Sequence, residues 1–127
     1  MADPTDPLAV VRSFCASWSS FDLEHLMGFF AKGAVYHNIP VEPVVGTDSI
    51  RATIEMFTAA ATRIEFRVLH AVAEGPIVLT ERLDVFELPN ATIELPVMGT
   101  FEVRDGRITV WRDYFDLQQY LSQVPSG

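Results

Sequence analysis

Two strand-like segments carry acidic side chains whose spacing could support proton transfer. Residues two apart on a β-strand face the same way, so Arg82 and Asp84 share one face of their segment. The same alternation places Asp113 between the aromatic residues Trp111 and Phe115. A carboxyl group in such surroundings is costly to ionise unless it has a partner. Asp84 and Asp113 could therefore form an acid/base couple, with one carboxyl protonated and the other ionised.

Arg82 is the natural partner for both carboxyl groups. Its guanidinium presents a fork of donors, so it can hydrogen-bond two carboxylates when it lies between them. The same residues also allow a simpler interpretation, in which Arg82 and Asp84 form an exposed ion pair and Asp113 lies unrelated to them near a strand edge. Surface ion pairs of that kind are common and weak. The alternation of residues alone leaves both interpretations open.

Tyr36 and Asn38 form a second polar pair at positions i and i+2 of a short predicted strand. A phenol and a carboxamide that converge from one strand can hold a water molecule, because they offer donors and acceptors in fixed directions. Alternatively, Tyr36 packs in the core and Asn38 begins a turn. The three histidines, His25, His37 and His70, lie on separate elements without metal-ligand spacing, so we predict no metal site.

Length and charge limit the class of protein further. The 127 residues suit one domain, and we predict a single domain over residues 1–127. A net charge of −8 argues against a nucleic-acid partner, because such binding depends on Lys and Arg. No apolar run approaches the roughly 18 residues of a membrane span, and the N-terminus lacks the features of a secretory signal. With one cysteine, Cys15, and hence no intrachain disulfide, we expect a cytoplasmic protein without membrane partners.

The elements that must position these residues fall into a helical first half and a strand-rich second half. Apolar residues at helical spacing predict two helices capped by Asp6 and Asp22 and a third capped by Thr47, with a short strand over 34–39 before the third. Alternating segments then predict four long strands, over 63–73, 77–88, 92–103 and 107–116. The turns between them are short, so successive strands should be antiparallel neighbours. This order predicts an α+β domain with three N-terminal helices packed in a strongly curved, mixed or antiparallel sheet.

Three segments resemble the active-site pattern of the limonene-1,2-epoxide hydrolase family: Tyr-His-Asn at 36–38, Arg-Leu-Asp at 82–84 and Trp-Arg-Asp-Tyr-Phe-Asp at 111–116. The helical start, the late meander and the separations between the segments are similar as well, over nearly the whole chain. The family belongs to the cone-shaped, cystatin-like folds of the nuclear transport factor 2-like superfamily. That superfamily also includes ketosteroid isomerases, polyketide cyclases and binding modules, so the fold alone does not decide the function.

The resemblance implies a role for each polar residue. Asp113, Tyr36 and Asn38 would hold the attacking water, with Asp113 as the general base. Asp84 would be the general acid that protonates the epoxide oxygen, and Arg82 would bridge the two carboxylates. The implied reaction is hydrolysis of an epoxide to a vicinal diol in one step, without a covalent intermediate and without a cofactor. The alternatives are an isomerase or cyclase of the same fold and a non-catalytic module that binds an apolar ligand.

The pocket around these polar residues should be apolar, as small-molecule sites usually are. Our candidates for its wall come from predicted helices and strands: Trp18, Phe57, Phe86, Leu95, Val97 and Phe115. Each of them could equally be an ordinary core residue. The large aromatics among them would narrow the cavity and favour a compact cyclic or aryl epoxide. The partly apolar second face of the sheet predicts a homodimer.

Overall fold

Helices come first in the chain and strands dominate its second half. This is seen in a computed structural model, which describes residue 3 and residues 5–125. The four α-helices are α1 Pro7–Ser17, α2 Leu23–Met27, α3 Thr47–Thr58 and α4 Leu117–Leu121, and a 3-10 helix, Trp18–Ser20, follows α1. The six strands are β1 Phe30–Asn38, β2 Val44–Val45, β3 Arg63–Glu74, β4 Ile77–Leu88, β5 Ala91–Arg104 and β6 Arg107–Tyr114.

All six strands form one mixed sheet in the order β2-β1-β6-β5-β4-β3. The last four strands are antiparallel neighbours, as predicted, and the α+β class is confirmed. β1 runs parallel to β6, which sets Tyr36 beside Trp111 and Asn38 beside Asp113. The first strand therefore meets the last at the residues to which sequence analysis assigned chemistry. The single domain over 1–127 stays a prediction, and residues 1, 2, 4, 126 and 127 lie outside the described residues.

The predicted caps of the first two helices are present, but the cap of the third is different. Asp6 accepts a hydrogen bond from the Ala9 amide, and Asp22 accepts one from the His25 amide. The residue before α3 is Gly46, which has a φ of 93° and caps no amide with a side chain, so the prediction that Thr47 caps this helix was wrong. Since L side chains rarely adopt such a backbone, glycine suits the sharp turn from β2 into α3.

Two strand boundaries differ from the prediction by two or more residues, because local patterns were overridden by strand pairing and capping. β1 begins at Phe30 rather than at residue 34, since Phe30 pairs with Ile108 of β6 instead of ending α2. The last strand ends at Tyr114 rather than at residue 116. Asp116 instead accepts hydrogen bonds from two amides, those of Gln118 and Gln119, and so caps α4, a helix that sequence analysis did not predict.

The core lies between the helices and the inner face of the sheet and is rich in aromatic rings. Phe14 of α1 lies at its centre, with ring centroids 5.9 Å from Trp18 and 5.1 Å from Trp111, both in edge-to-face geometry. Cys15 is buried beside it, and burial raises the pKa of this thiol to about 12, which keeps it neutral. Within the described residues, no helix is long and apolar enough to cross a membrane.

Candidate active site

A cavity of about 150 Å³ opens on the inner face of the sheet. Four polar residues line it, and all four were singled out from the sequence: Tyr36, Asn38, Asp84 and Asp113. The rest of its lining is apolar or aromatic, contributed by strands, by α3, by α4 and by the connecting segments that contain Val41 and Phe115. This combination of an apolar wall and a few convergent polar groups is typical of sites for small molecules.

Arg82 lies buried between two carboxylates that are far apart in the sequence. Its Nε and Nη2 donate to the two Asp84 oxygens at 3.0 and 2.8 Å. Its Nη1 and Nη2 donate to the two Asp113 oxygens at 3.1 and 2.8 Å. Arg82 is 1% exposed and each of the two aspartate residues is 4% exposed, so the arrangement is not the exposed ion pair that the sequence also allowed. We call Arg82, Asp84 and Asp113 the carboxylate–guanidinium cluster.

Two residues that sequence analysis did not assign to the site complete the hydrogen bonds of this cluster. Arg82 Nη1 also donates to Thr80 Oγ1 at 3.2 Å, and with this bond every N–H of the guanidinium has an acceptor. Trp111 Nε1 donates to Asp113 Oδ1 at 2.8 Å. Both could have been found by alternation, because Thr80 shares a strand face with Arg82, and Trp111 shares one with Asp113.

The surroundings of the cluster separate the proton affinities of its members. Burial is the main cause that raises the pKa of Asp84, from 3.8 to about 6; Arg82 opposes this rise and Asp113 adds to it. Burial by itself lowers the pKa of Arg82, but the two carboxylates outweigh it and hold that pKa well above its usual range. Arg82 therefore stays cationic, while Asp84 can gain or lose a proton close to neutral pH, as a general acid must.

Tyr36 both packs in the core and reaches the cavity. Its ring stacks on Trp111, with centroids 4.0 Å apart, and its hydroxyl donates to Asn38 Oδ1 at 3.2 Å. Burial first, and then the neighbouring Asp113, raise the pKa of Tyr36 well above its usual value, so the phenol stays neutral. A neutral phenol and a carboxamide beside Asp113 supply both donors and acceptors at one end of the cavity.

Five of the six residues predicted to form the wall line the cavity: Phe57, Phe86, Leu95, Val97 and Phe115. Trp18 does not, and its assignment to the wall was wrong. It is fully buried behind the wall, with ring centroids 4.4 Å from Phe66 and 5.9 Å from Phe57, both in stacked geometry. Helical spacing showed that Trp18 faces inward, but it could not show that two other aromatic rings lie between it and the cavity.

Sequence analysis missed four lining residues: Val41, Phe66, Leu117 and Tyr120. Phe66 shares the inner face of β3 with Ile64, so alternation could have found it. Its ring centroid lies 4.9 Å from Arg82 Cζ, a cation–π contact that adds to the enclosure of the guanidinium. Leu117 and Tyr120 belong to α4, which was not predicted. In the described part of the chain, no group of three or more His, Cys, Asp or Glu side chains is arranged to hold a metal.

Comparison with known proteins identifies relatives over almost the whole chain. Residues 5–126 match the family model described as the limonene-1,2-epoxide hydrolase catalytic domain. Epoxide hydrolase EphG of Mycobacterium tuberculosis is 32% identical over 119 residues, which are 92% of this chain and 78% of that protein. The solved structure of an LEH-like epoxide hydrolase from M. tuberculosis has a TM-score of 0.82 at 28% identity and covers 94% of this chain and 89% of that one.

More distant structures share the fold alone. A protein with a ketosteroid isomerase-like fold from Catenulispora acidiphila has a TM-score of 0.79 at 20% identity, with 90% of each chain covered. A SnoaL-like polyketide cyclase from Shewanella putrefaciens has a TM-score of 0.81 at 15% identity, with 91% of this chain and 93% of that one covered. The architecture is thus shared with proteins of low sequence identity, and the site must decide the chemistry.

Proposed function

Since this chain belongs to the limonene-1,2-epoxide hydrolase family and is an epoxide hydrolase, we propose that it converts a small cyclic or aryl epoxide into a vicinal diol in one step. The observation that carries this proposal is the buried Arg82, hydrogen-bonded to Asp84 and Asp113 in an apolar cavity. Two carboxyl groups held by one guanidinium can divide the roles of acid and base.

In the proposed reaction, Asp113 is the general base for a water held with Tyr36 and Asn38. The water oxygen attacks one epoxide carbon and gives a proton to Asp113. The bond between that carbon and the epoxide oxygen breaks, and its electron pair passes to the oxygen, which takes the proton of Asp84. An epoxide ring is strained, but its oxygen is a poor leaving group as an alkoxide. Protonating that oxygen while water attacks the carbon lowers the cost of bond breaking and of water activation in one transition state. A proton then returns from Asp113 to Asp84 through water, which restores the starting state.

The carboxylate–guanidinium cluster supports this division of roles through its electrostatics. Arg82 offsets the charge of an ionised carboxylate, which burial would otherwise penalise by several kcal/mol. The raised pKa of Asp84, about 6, favours the protonated form that a general acid needs. Trp111 donates to one oxygen of Asp113, and this bond orients the carboxylate toward the water that Tyr36 and Asn38 would hold.

The cavity favours a compact substrate. An apolar cavity of about 150 Å³ holds one benzene ring, so an epoxide fused to a six-membered ring or attached to one phenyl group suits the enclosed part. Phe57, Phe86 and Phe115 would contact such a ring. A homodimer joined through the outer face of the sheet also stays a proposal. Its support is the exposed Met98 and Tyr114, which are direct partners on β5 and β6.

The function is tested by incubating the protein with cyclohexene oxide, styrene oxide and limonene oxide and measuring diol formation. We expect a diol from at least one of them, and absence of diol from every small epoxide, with folded protein, would contradict the proposal. Retention of an epoxide without turnover would instead indicate a binding module. A rearranged carbonyl product without added water would indicate an isomerase.

The one-step mechanism has a separate test in water enriched in oxygen-18, with enzyme in excess over substrate. Direct attack by water places a solvent oxygen in the diol during the first turnover. Attack by a carboxylate would transfer an unlabelled carboxylate oxygen to the diol in that turnover. An unlabelled first product would overturn the one-step mechanism without affecting the assignment as an epoxide hydrolase.

A further inference from the structure

The hydrogen bonds between Arg82 and Asp113 cross over a strand that lies between them. Arg82 is on β4 and Asp113 is on β6, and β5 pairs with both. At the crossing point, Gly99 of β5 is the direct partner of Thr80 on one side and of Asp113 on the other. The guanidinium therefore passes across the inner face of β5 at the one position where that strand presents a glycine.

The space above Gly99 is filled by the cluster itself. A Cβ atom at this position would lie under 3.0 Å from Arg82 Nη1, and 2.8 Å from both Asp113 Oδ1 and Thr80 Oγ1. Real Cβ atoms essentially never approach other atoms so closely. On the β6 side, Asp113 Oδ1 is held in place because it also accepts from Trp111 Nε1. Any side chain at position 99 must consequently displace Nη1.

Backbone conformation does not explain this glycine. Gly99 is in the interior of β5 and is not among the residues with positive φ. Its neighbours on the inner face, Val97 and Phe101, are both buried and carry large side chains. A glycine inside a strand weakens it and commonly marks a close approach by another group. Here the approaching group is the Arg82 guanidinium.

We propose that Gly99 is a positioning residue for the hydrolysis, because its missing side chain lets Arg82 reach Asp113 across β5. The proposal rests on the function proposed above. A side chain here breaks the bonds from Nη1 to Asp113 and Thr80, while the bonds from Nε and Nη2 to Asp84 can persist. Asp113 then loses one of the three donors that fix its carboxylate plane, the others being Arg82 Nη2 and Trp111 Nε1, and the base is misplaced relative to the water it activates.

The first test is Gly99→Ala, with Thr100→Ala as the control on the neighbouring, outward-facing position of β5. Since a misplacement of about 1 Å can cost roughly 10²-fold in rate, we expect kcat to fall about 100-fold in Gly99→Ala. KM should change less than about 3-fold, because the apolar wall that binds substrate is untouched. Thr100→Ala should retain the kinetics of the wild type. Unchanged kcat in folded Gly99→Ala would overturn the proposal, and so would a loss confined to KM.

The second test needs no activity and compares Gly99→Ala in two backgrounds. In Arg82→Lys, the ammonium ends near the position of the guanidinium carbon, so the charge is kept and Nη1 is gone. Gly99→Ala should lower the melting temperature in both backgrounds. We expect the fall in the Arg82→Lys background to be at most about half of the fall in the wild type, because substitutions at contacting sites are not additive. If Gly99→Ala alone does not fold, Gly99→Ala/Arg82→Lys should fold. Equal losses in both backgrounds, or two unfolded variants, would overturn the proposal even if epoxide hydrolysis is confirmed.

Discussion

The floor of the cavity and its mouth are built in different ways. At the floor, Arg82, Asp84 and Asp113 sit on paired strands, and each is at most 4% exposed. We call the part of the cavity lined by the partly exposed Leu117 and Tyr120 of α4 its mouth. This helix contains no buried residue. The C-terminal segment is fastened to β5 by Gln123, which accepts from the Glu94 amide and donates to the Glu94 carbonyl, both at 2.9 Å. The groups proposed for chemistry are thus held by many bonds, and the lining groups of the mouth are held by few.

Because the floor and the mouth are held differently, substitutions in them should affect different kinetic constants. The floor has many bonds per side chain, so a change there should alter kcat by disturbing reacting geometry. The mouth contributes apolar surface through Leu117 and Tyr120, so a change there should alter KM and the choice between substrates.

The largest effect is expected from Asp113→Asn, which keeps the shape of the floor and removes the base. We expect kcat to fall by about 10³-fold or more, near the upper range for general acid–base catalysis, and Asp84→Asn should lose a similar factor. The measurement is the initial rate of diol formation at saturating epoxide. Glu74→Gln, a change at an exposed carboxylate on β3, is the control. Residual activity above a few per cent in either variant would contradict the role assigned to that aspartate.

A smaller loss is expected from Tyr36→Phe. The ring can still stack on Trp111, but the hydroxyl that bonds Asn38 is gone. Because one well-placed hydrogen bond to reacting groups is worth about 10²-fold, kcat should fall about 10- to 100-fold with little change in melting temperature. Wild-type kcat in Tyr36→Phe would show that the phenol only packs, which was the alternative left open by the sequence.

The pH dependence should follow the raised pKa of Asp84. Since the proposed acid must be protonated, kcat/KM should fall about 10-fold per pH unit above a pKa of about 6, the value to which burial raises it. This limb is measured with the free enzyme at low substrate concentration. A flat profile from pH 5 to 8 would contradict Asp84 as the acid.

The free energy of unfolding should also depend on the protonation of Asp84, and the raised pKa sets the direction of that dependence. The folded-state pKa of Asp84, about 6, lies above the ordinary value of 3.8, so the folded state binds the proton more tightly. The contribution of Asp84 to folding stability is fully present at pH values below its ordinary pKa of 3.8 and is lost as pH rises through about 6. The melting temperature of Asp84→Asn, measured relative to that of the wild type, should therefore rise between pH 4 and pH 7. A difference that stays constant over this window would contradict the raised pKa.

The floor could be predicted from the sequence because strand alternation has a fixed period. Arg82, Asp84 and Asp113 all lie on the faces that alternation assigned, and the antiparallel meander brought them within two strands. Their distances, and the crossing at Gly99, depend on register, which no local pattern supplies. The family resemblance and the α+β class are confirmed. The role of each site residue stays a prediction.

The mouth was predicted poorly for a physical reason. The end of the last strand was extended to residue 116, whereas Asp116 caps α4 and turns the chain back over the cavity. α4 is only five residues long, too short to be stable by its own propensity, so its position depends on tertiary contacts. Trp18 shows the same limit, since an inward-facing residue can lie at a cavity or one layer behind it.

The smallest effect is expected at the fastening of the mouth, in Gln123→Ala. Without the carboxamide, the Glu94 amide and carbonyl lose their partner and the segment that follows α4 is released from β5. The variant also loses the bond from the carboxamide to the Gln119 carbonyl. We expect KM for a ring-sized epoxide to rise about 3-fold while kcat is retained, because bonds to water replace these three exposed hydrogen bonds at a net cost of about 0.5–1 kcal/mol. Gln118→Ala, an exposed glutamine on α4 itself, is the matched control and should change neither constant.

A fall in kcat with unchanged KM in Gln123→Ala would break the separation between floor and mouth. It would mean that α4 transmits its position to the reacting groups, and the path would have to run through Phe115, which lies between Asp113 and α4 in the chain and lines the cavity. Repeating the measurement in Phe115→Leu would then decide the matter. If Phe115 carries the coupling, Gln123→Ala should have no further effect on kcat in that background, because both changes interrupt the same contact.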